Sequence, residues 1–249
     1  MKRLQDKVAL ITGGGSGIGR AIALAFAGEG AHVCVVGRTF EKVKDTEKDI
    51  EKIGQKALAI QTDITRLTEI NKMVGDVTDF FGRLDILVNN AGIVIDNSIL
   101  DVTESQWDEI MGVDLKGAFF VTKSVLPIMI SQGKGKIINI ASPLGIKGKP
   151  MSSVYCAAKG GIINLTRALA KELAQKNINV NAIGPGFTDT PMIEKYKTNP
   201  ELLKRATSNI PFGRPAKPEE IGGAAIFLAS DESDFITGAI LFVDGGETA

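Results

Sequence analysis

The sequence has few histidines and cysteines and no excess of charge of either sign. Its 249 residues include one histidine, His32, and two cysteines, Cys34 and Cys156. The cysteines are too far apart to suggest a metal site or a disulfide framework, so we expect no bound metal and a reducing, cytoplasmic environment. His32 begins a strand-like run, where a structural role is more common than a catalytic one.

Net charge is absent as well, because 29 Lys and Arg residues balance 29 Asp and Glu residues. Without an overall field to attract nucleic acid or an anionic membrane, we expect a small-molecule partner. No apolar stretch approaches the length of a membrane-spanning helix, and residues 1–7 show no apolar signal region. The expected partners therefore include neither nucleic acid nor a membrane.

Seven short β-branched runs alternate with segments of helical periodicity. They cover residues 8–12, 32–36, 57–61, 86–88, 136–140, 179–183 and 240–243. Most of these runs lack the polar/apolar alternation of a half-exposed sheet, which favours strands covered by helices on both faces. We predict an α/β fold: a doubly wound (Rossmann) sheet of seven parallel strands, with residues 1–249 forming one domain.

One segment interrupts the alternation of strands and helices. Residues 186–217 are rich in Pro and Gly, and a helical run at 191–209 follows directly on the sixth predicted strand. Ligands of open α/β sheets bind at the carboxyl ends of the strands. We therefore expect this insertion to form a lid over the substrate.

A glycine-rich turn joins the first strand to the first helix. It reads Thr12-Gly13-Gly14-Gly15-Ser16-Gly17-Ile18-Gly19. Such a turn lets backbone N–H groups and a helix N-terminus face a pyrophosphate with no Cβ in the way. The glycine spacing differs from G-x-G-x-x-G, and an ordinary tight turn is the alternative. The residues that we expect to bind a dinucleotide here are Gly13, Gly15, Ser16, Gly17, Ile18 and Gly19.

Several ordered motifs resemble those of the short-chain dehydrogenase/reductase family. Thr12, Gly13, Gly17 and Gly19 fit its T-G-x-x-x-G-x-G loop in register. The resemblance continues through Asp63, Asn89-Asn90-Ala91-Gly92, Ser142, Tyr155, Lys159, Pro185-Gly186 and Val243-Asp244-Gly245-Gly246. Within the family, the sequence is similar to the 3-oxoacyl-carrier reductases.

The resemblance implies further cofactor contacts. Asp63 is expected to bind the adenine, Gly92 to form part of the cofactor floor, and Asn89 to support the central strand. The remaining implied contacts are Ile64, Asn90, Ala91, Pro185, Gly186, Thr188, Thr190, Tyr155 and Lys159. On sequence alone, the Asn-Asn pair is equally typical of a turn.

Cofactor choice depends on the end of the second strand, Val35-Val36-Gly37-Arg38-Thr39. An acidic residue there would bind the ribose hydroxyl of NAD, whereas an arginine accommodates the 2′-phosphate of NADP. Arg38 can hold a phosphate by charge-assisted hydrogen bonds, so NADP(H) is favoured and NAD(H) is possible. A solvated surface arginine is the alternative, since the glycine loop carries Ser16 where many NADP-preferring relatives have a basic residue.

The predicted catalytic group combines Tyr155, Lys159 and Ser142. Tyr155 and Lys159 are four residues apart in a helical run, which brings the phenol and the ammonium to one face. The resemblance implies that Tyr155 exchanges a proton with the substrate oxygen, that Lys159 lowers the pKa of Tyr155 and binds the nicotinamide ribose, and that Ser142 steadies the substrate oxygen.

Asp114 stands where the family usually has an asparagine that completes a proton relay. A carboxylate can accept a hydrogen bond from a water leading to Lys159, but its charge opposes any lowering of the Tyr155 pKa. We therefore predict a working enzyme whose pH profile is altered by Asp114.

The resulting prediction is an NAD(P)(H)-dependent oxidoreductase that moves a hydride between the nicotinamide and a ketone or secondary alcohol, as a carbonyl or 3-oxoacyl reductase. Secondary-alcohol, sugar and steroid dehydrogenases are alternatives in the same family. A regulator that binds the cofactor without turnover is disfavoured by the intact Ser142, Tyr155 and Lys159.

Two surface features complete the prediction. The runs 113–129 and 154–174 are apolar on nearly every side, so we expect subunit contacts and, by resemblance, a homotetramer. Lys134, Lys136 and Lys176 could form a basic rim for an acyl carrier, or they could be ordinary solvated lysines.

Overall fold

The strands expected from the β-branched runs all form, and they pair in parallel into one sheet. The computed structural model describes residues 2–249. The strands are β1 Val8–Thr12, β2 His32–Gly37, β3 Ala57–Gln61, β4 Ile86–Asn89, β5 Gly135–Ile140, β6 Ile178–Pro185 and β7 Ile240–Val243. Their order across the sheet is β3-β2-β1-β4-β5-β6-β7. This order reverses between β1 and β4 and thereby opens a crevice at the carboxyl ends of these strands.

Helices cover both faces of the sheet, as its mostly apolar strands require. They are α1 Gly17–Gly28, α2 Phe40–Lys52, α3 Leu67–Phe81, α4 Glu104–Met111, α5 Ala118–Gln132, α6 Ser153–Leu173, α7 Glu194–Lys197, α8 Pro200–Thr207 and α9 Pro218–Ala229. Successive strand residues point to opposite faces. Ala9 and Ile11 therefore join a core with α1, α2 and α9, while Val8 and Leu10 join a core with α3, α5 and α6. The predicted doubly wound fold is confirmed.

A short π-helical segment, Gly112–Gly117, joins α4 to α5. It packs close to the chain that follows β3: a Cβ added at Gly117 would lie 2.8 Å from the Cδ1 atom of Ile64. Such wide turns occur often at functional sites. Here the segment carries Asp114, whose side chain is buried.

The segment between β6 and α9 is closed at its base by a β-bridge between Thr188 and Ala216. The single helical run expected at 191–209 is wrong, because the structure has a 3-10 turn followed by α7 and α8. The break falls before Pro200, which lacks an N–H group and restricts the residue before it. Asn199 starts α8 anew by accepting a hydrogen bond from the Leu202 N–H at 3.2 Å.

None of the helices within residues 2–249 is both long and apolar enough to cross a membrane.

Candidate active site

The glycine-rich turn is held in place by the loop that follows β4. The Asn90 side-chain amide donates to the carbonyls of Thr12 and Gly13 at 2.9 and 3.2 Å. The Thr12 hydroxyl accepts hydrogen bonds from the backbone N–H groups of Asn90 and Ala91 at 3.0 and 3.1 Å. The predicted cofactor residues Gly13, Asn90 and Ala91 therefore lie together at the switch point of the sheet.

The N-terminus of α1 is open toward this crevice. Ser16 occupies its N-cap position without a side-chain capping bond, and the first turn contains no acidic residue. Gly13 and Gly17 have positive φ angles of 66° and 53°, which favour glycine. Ile18 and Gly19 follow in the first turn. The turn therefore leaves backbone N–H groups free for an anion, as a bound dinucleotide pyrophosphate requires.

The carboxyl end of β6 forms the opposite wall. A Cβ at Gly17 would lie 3.1 Å from the Thr190 Cγ2 atom, and one at Gly186 would lie 2.7 Å from the Asp244 Cα atom. The Thr188 hydroxyl donates to the Gly186 carbonyl at 2.9 Å. Pro185, Gly186, Thr188 and Thr190 thus follow one another along this edge, with Thr190 against the glycine turn.

Arg38 and Asp63 lie at the ends of β2 and β3. Both border a cleft of about 950 Å³ whose other wall is made by α4, the π-helical segment and α5. Burial raises the pKa of Asp63, but hydrogen bonds from Thr65 and the charges of Arg66 and Arg38 lower it on balance.

Two predicted cofactor residues in this region have contacts that limit their roles. The Ile64 side chain is buried against Gly117, so any cofactor contact by Ile64 falls to its backbone. Gly15 faces α2, because a Cβ there would lie 2.9 Å from the Lys42 Cβ atom. Neither Ile64 nor Gly15 therefore presents a side chain to the crevice.

The three predicted catalytic side chains converge beyond the carboxyl end of β5. Ser142 follows this strand, and its hydroxyl accepts the Leu144 N–H at 3.1 Å, which starts a 3-10 turn at Pro143–Gly145. This turn packs tightly on α6, since a Cβ at Gly145 would lie 2.7 Å from the Lys159 carbonyl oxygen. The Lys159 Nζ atom lies 5.5 Å from the centre of the Tyr155 ring, and the nearby Ser142 hydroxyl acts to lower the pKa of the phenol.

Lys159 is buried and has two fixed partners. Its Nζ atom donates to the Ile140 carbonyl at 3.0 Å and lies 3.1 Å from the Asp114 Oδ2 atom. The Asp114 Oδ1 atom accepts the Ile93 N–H at 2.8 Å. Gly92 makes room for this pair, because a Cβ there would lie 3.0 Å from Asp114 Oδ2 and 3.4 Å from Lys159 Nζ.

Known proteins resemble this chain over nearly its whole length. A family model described as enoyl-(acyl carrier protein) reductase matches residues 13–248. The 3-oxoacyl-[acyl-carrier-protein] reductase of Thermotoga maritima is 45% identical over 245 residues, which are 98% of either chain. The crystal structure of a short-chain type dehydrogenase/reductase from Mycobacterium marinum has a TM-score of 0.93 at 36% identity and covers 99% of this chain and 97% of its own. The chain belongs to the short-chain dehydrogenase/reductase family.

A further solved structure shows a cofactor in this fold. It is a protein from Agrobacterium tumefaciens assigned as a 2-deoxy-d-gluconate 3-dehydrogenase with bound NADP, with a TM-score of 0.91 at 40% identity. The matched region is 98% of this chain and 97% of that one. As a member of the short-chain dehydrogenase/reductase family, the chain is an oxidoreductase that uses a nicotinamide cofactor and acts on a small molecule.

The electrostatics of this dehydrogenase/reductase differ from a simple Tyr-Lys pair. Burial raises the pKa of Tyr155; Lys159 opposes this shift, while Asp114 adds to it. Burial alone would lower the pKa of Lys159, but the charge of Asp114 and a hydrogen bond with it raise this pKa on balance. Without cofactor, the phenol is therefore held in its protonated form, and the ammonium is held in its charged form.

The contact between Asp114 and Lys159 is closer than the sequence suggested. A water between the two groups was the expected arrangement, whereas the carboxylate lies directly beside the ammonium. The wide turn of the π-helical segment brings Asp114 inward to this position. Sequence periodicity carries no signal for such a turn.

Sequence reasoning missed a chain of buried polar groups beneath the site. The Asn89 amide donates to the Thr122 hydroxyl and to the Asn139 side chain, both at 2.9 Å. The Asn139 amide donates in turn to the Thr166 hydroxyl at 2.9 Å. This chain ties β4 and β5 to α5 and α6, which makes Asn89 a support of the central strands rather than a turn residue. Asn139 within an apolar strand was the available signal.

The suggested basic rim does not form at the site. Lys134 lies 2.9 Å from carboxylate oxygens of Asp231 and Asp234, and Lys136 lies 2.7 Å from Asp234. These lysines lie at the start of β5, and Lys176 lies just before β6. All three are therefore at the amino edge of the parallel sheet, opposite the crevice.

Proposed function

We propose that the chain is an NADP(H)-dependent reductase of ketones, with 3-oxoacyl thioesters as its substrate class, and that it also catalyses the reverse oxidation. The convergence of Ser142, Tyr155 and Lys159 beside the glycine-rich turn is the observation that carries this proposal. The similarity to the 3-oxoacyl reductase of Thermotoga maritima supports the substrate class.

The open N-terminus of α1, the glycines without Cβ atoms and the buried ammonium of Lys159 fit a dinucleotide. When bound, the nicotinamide supplies or accepts the hydride. Tyr155 gives its phenolic proton to the carbonyl oxygen during reduction and takes one from the alcohol during oxidation. Ser142 donates a hydrogen bond to the same oxygen as charge develops there.

Lys159 and Asp114 influence this proton transfer through their charges. The Lys159 ammonium favours the phenolate and would also bind the nicotinamide ribose. Asp114 keeps Lys159 charged and, through its own negative charge, disfavours the phenolate. The residues proposed to hold the rest of the cofactor are those of the glycine turn, the loop after β4 and the edge after β6.

Arg38 supports NADP(H) over NAD(H). It is exposed at the end of β2, and its guanidinium is available for the 2′-phosphate. The Agrobacterium tumefaciens protein with bound NADP is consistent with this preference.

A sugar or sugar-acid dehydrogenase is the second candidate. It is favoured by two similar structures with bound NADP, assigned as a 2-deoxy-d-gluconate 3-dehydrogenase and a gluconate 5-dehydrogenase, at 40% and 38% identity. A substrate panel separates the two candidates directly.

The proposal includes a lid and an assembly. All seven strands belong to one sheet, so we take 1–249 as one domain with residues 186–217 as its substrate lid. The apolar runs 113–129 and 154–174 and the similarity to the family support a homotetramer, and Phe119 on α5 is 42% exposed. Both cysteines are free, which is consistent with a cytoplasmic location.

The test is nicotinamide absorbance at 340 nm with an acetoacetyl thioester, simple ketones and a keto-sugar acid, each with NADPH and NADH. We expect NADPH oxidation with the thioester. Tyr155→Phe should lower turnover about 10²- to 10⁴-fold, with a much smaller change in NADPH binding, measured by fluorescence. Absence of turnover with every substrate, or full turnover in Tyr155→Phe, would overturn the proposal.

A further inference from the structure

One carboxylate outside the catalytic group touches three parts of the site. Asp96 lies in the loop after β4, and its side chain is only 18% exposed. Its Oδ1 atom accepts the Ser152 hydroxyl at 2.7 Å, and its Oδ2 atom lies 2.7 Å from the Lys195 Nζ atom. Lys149 adds a more distant charge at 3.9 Å. Asp96 thus joins the β4 loop, the start of α6 and the lid.

The bond to Ser152 reaches the catalytic helix. Ser152 occupies the N-cap position of α6 but makes no side-chain capping bond there. Its hydroxyl, on a residue that is 1% exposed, is committed to Asp96 instead. The backbone repeats the connection, because the Asn97 N–H donates to the Met151 carbonyl at 2.7 Å. Tyr155 follows Ser152 within the first turn of this helix, so its position depends on how this helix start is held.

The bond to Lys195 reaches the lid. Lys195 lies on α7, and its Nζ atom also lies 5.2 Å from the centre of the Tyr196 ring. Tyr196 packs edge-on against Phe187, which directly follows Gly186, with ring centres 5.2 Å apart. The short helix is therefore held at its base by aromatic packing and joined to the loop after β4 by the Asp96–Lys195 ion pair.

We propose that Asp96 is a positioning residue that anchors both the lid and the start of the helix that carries Tyr155. Its two oxygen atoms have separate tasks: Oδ1 holds the start of α6 through Ser152, and Oδ2 holds α7 through Lys195. This inference rests on the proposed function for its kinetic consequences, whereas the link between Asp96 and the lid is a property of the protein without substrate.

Asp96 has two arms: the ion pair with Lys195 is the lid arm, and the hydrogen bond with Ser152 is the arm to α6. Separate variants remove one arm at a time. Lys195→Met removes the lid arm and leaves Ser152 bonded. Asp96→Asn weakens the same arm, because it removes the negative charge that pairs with Lys195. It keeps the other arm, since an amide oxygen still accepts the Ser152 hydroxyl. Ser152→Ala removes only the arm to α6. Lys204→Met, on α8, is the matched control, since it removes a lid ammonium that Asp96 does not bind.

Kinetics should separate the two arms. Because the ion pair is partly exposed, Lys195→Met and Asp96→Asn should raise KM about two- to fivefold with little change in kcat. The double variant should have a KM no higher than that of either single variant, and Lys195→Arg should keep the KM of the wild type. High salt should raise the KM of the wild type but not that of Lys195→Met. Ser152→Ala should lower kcat about tenfold at nearly constant KM, because it leaves a buried carboxylate oxygen without its donor.

Amide hydrogen exchange tests the link without any turnover. Exchange in residues 191–207 should be about two- to fivefold faster in Lys195→Met and Asp96→Asn than in the wild type or Lys204→Met. Unchanged exchange in both variants would overturn the proposal, as would a kcat loss without a KM change in Lys195→Met. If no substrate is turned over but exchange responds as expected, the proposed reaction fails and the Asp96 link stands.

Discussion

The Asp114→Asn variant tests the electrostatics of the site most directly. The Lys159 Nζ atom lies 5.5 Å from the centre of the Tyr155 ring and 3.1 Å from the Asp114 Oδ2 atom. The ring centre and the carboxylate oxygen are therefore at most about 9 Å apart, and charges at that separation interact by about 2 kcal/mol at the effective dielectric constant of protein sites. The amide can still accept the Ile93 N–H, so the fold should be retained.

The sign of the effect follows from the charge that is removed. Asp114 contributes to the raised pKa of Tyr155, so its neutralisation lowers this pKa. Oxidation needs the phenolate and rises with pH through this pKa, whereas reduction needs the phenol and falls. The pH profiles of oxidation and of reduction should therefore both move to lower pH, by roughly one unit. Partial exposure of the phenol to solvent makes this shift smaller than the full interaction energy would give.

The assay is kcat/KM in both directions across pH, followed at 340 nm. Asp45→Asn is the control, since this carboxylate on α2 is 71% exposed and pairs with Lys48. It should leave both profiles in place. Profiles of Asp114→Asn that coincide with the wild type, or that move to higher pH, would refute the coupling between Asp114 and Tyr155.

Three further predictions concern the cofactor site and the assembly. Arg38→Asp should lower the ratio of NADPH to NADH efficiency at least about tenfold, because it replaces a charge-assisted bond with repulsion; an unchanged ratio would contradict the NADP assignment. Gly19→Ala should lower Tm and weaken NADPH binding, since its Cβ would lie 2.4 Å from both the Asn90 Nδ2 atom and the Gly13 oxygen, whereas Gly28→Ala, with nothing within 4 Å, should not. Sedimentation at micromolar concentration should show a tetramer, and a monomer alone would reject it.

Local patterns predicted much of this protein. The β-branched runs located all seven strands, with ends that differ from the structure by at most two residues, because buried parallel strands need continuous apolar sequence. The four-residue spacing of Tyr155 and Lys159 brought phenol and ammonium to one face of α6, as a helix requires. The break before Pro200 was also readable from the chain, although the helical periodicity on either side masked it.

Contacts between distant segments were less accessible. Lys134 and Lys136 were considered for a basic rim near the site, but they lie at the amino end of β5, on the opposite edge of the sheet. Their charge alone does not indicate on which edge of the sheet they lie. The buried chain from Asn89 to Thr166 depends on four elements that meet only in the folded state. The same holds for Asp96, which is 56 residues from Ser152 and 99 from Lys195.

The amino-acid sequence by itself determined the alternation of strands and helices, the glycine turn and the spacing of the predicted catalytic side chains, because each depends on backbone preference and periodicity within a few residues. Only the tertiary structure decided which charges meet. The direct contact of Asp114 with Lys159 needs a π-helical turn and the absence of a Cβ at Gly92. Such pairings follow from the packing of elements far apart in the chain, where local pattern carries no information on distance.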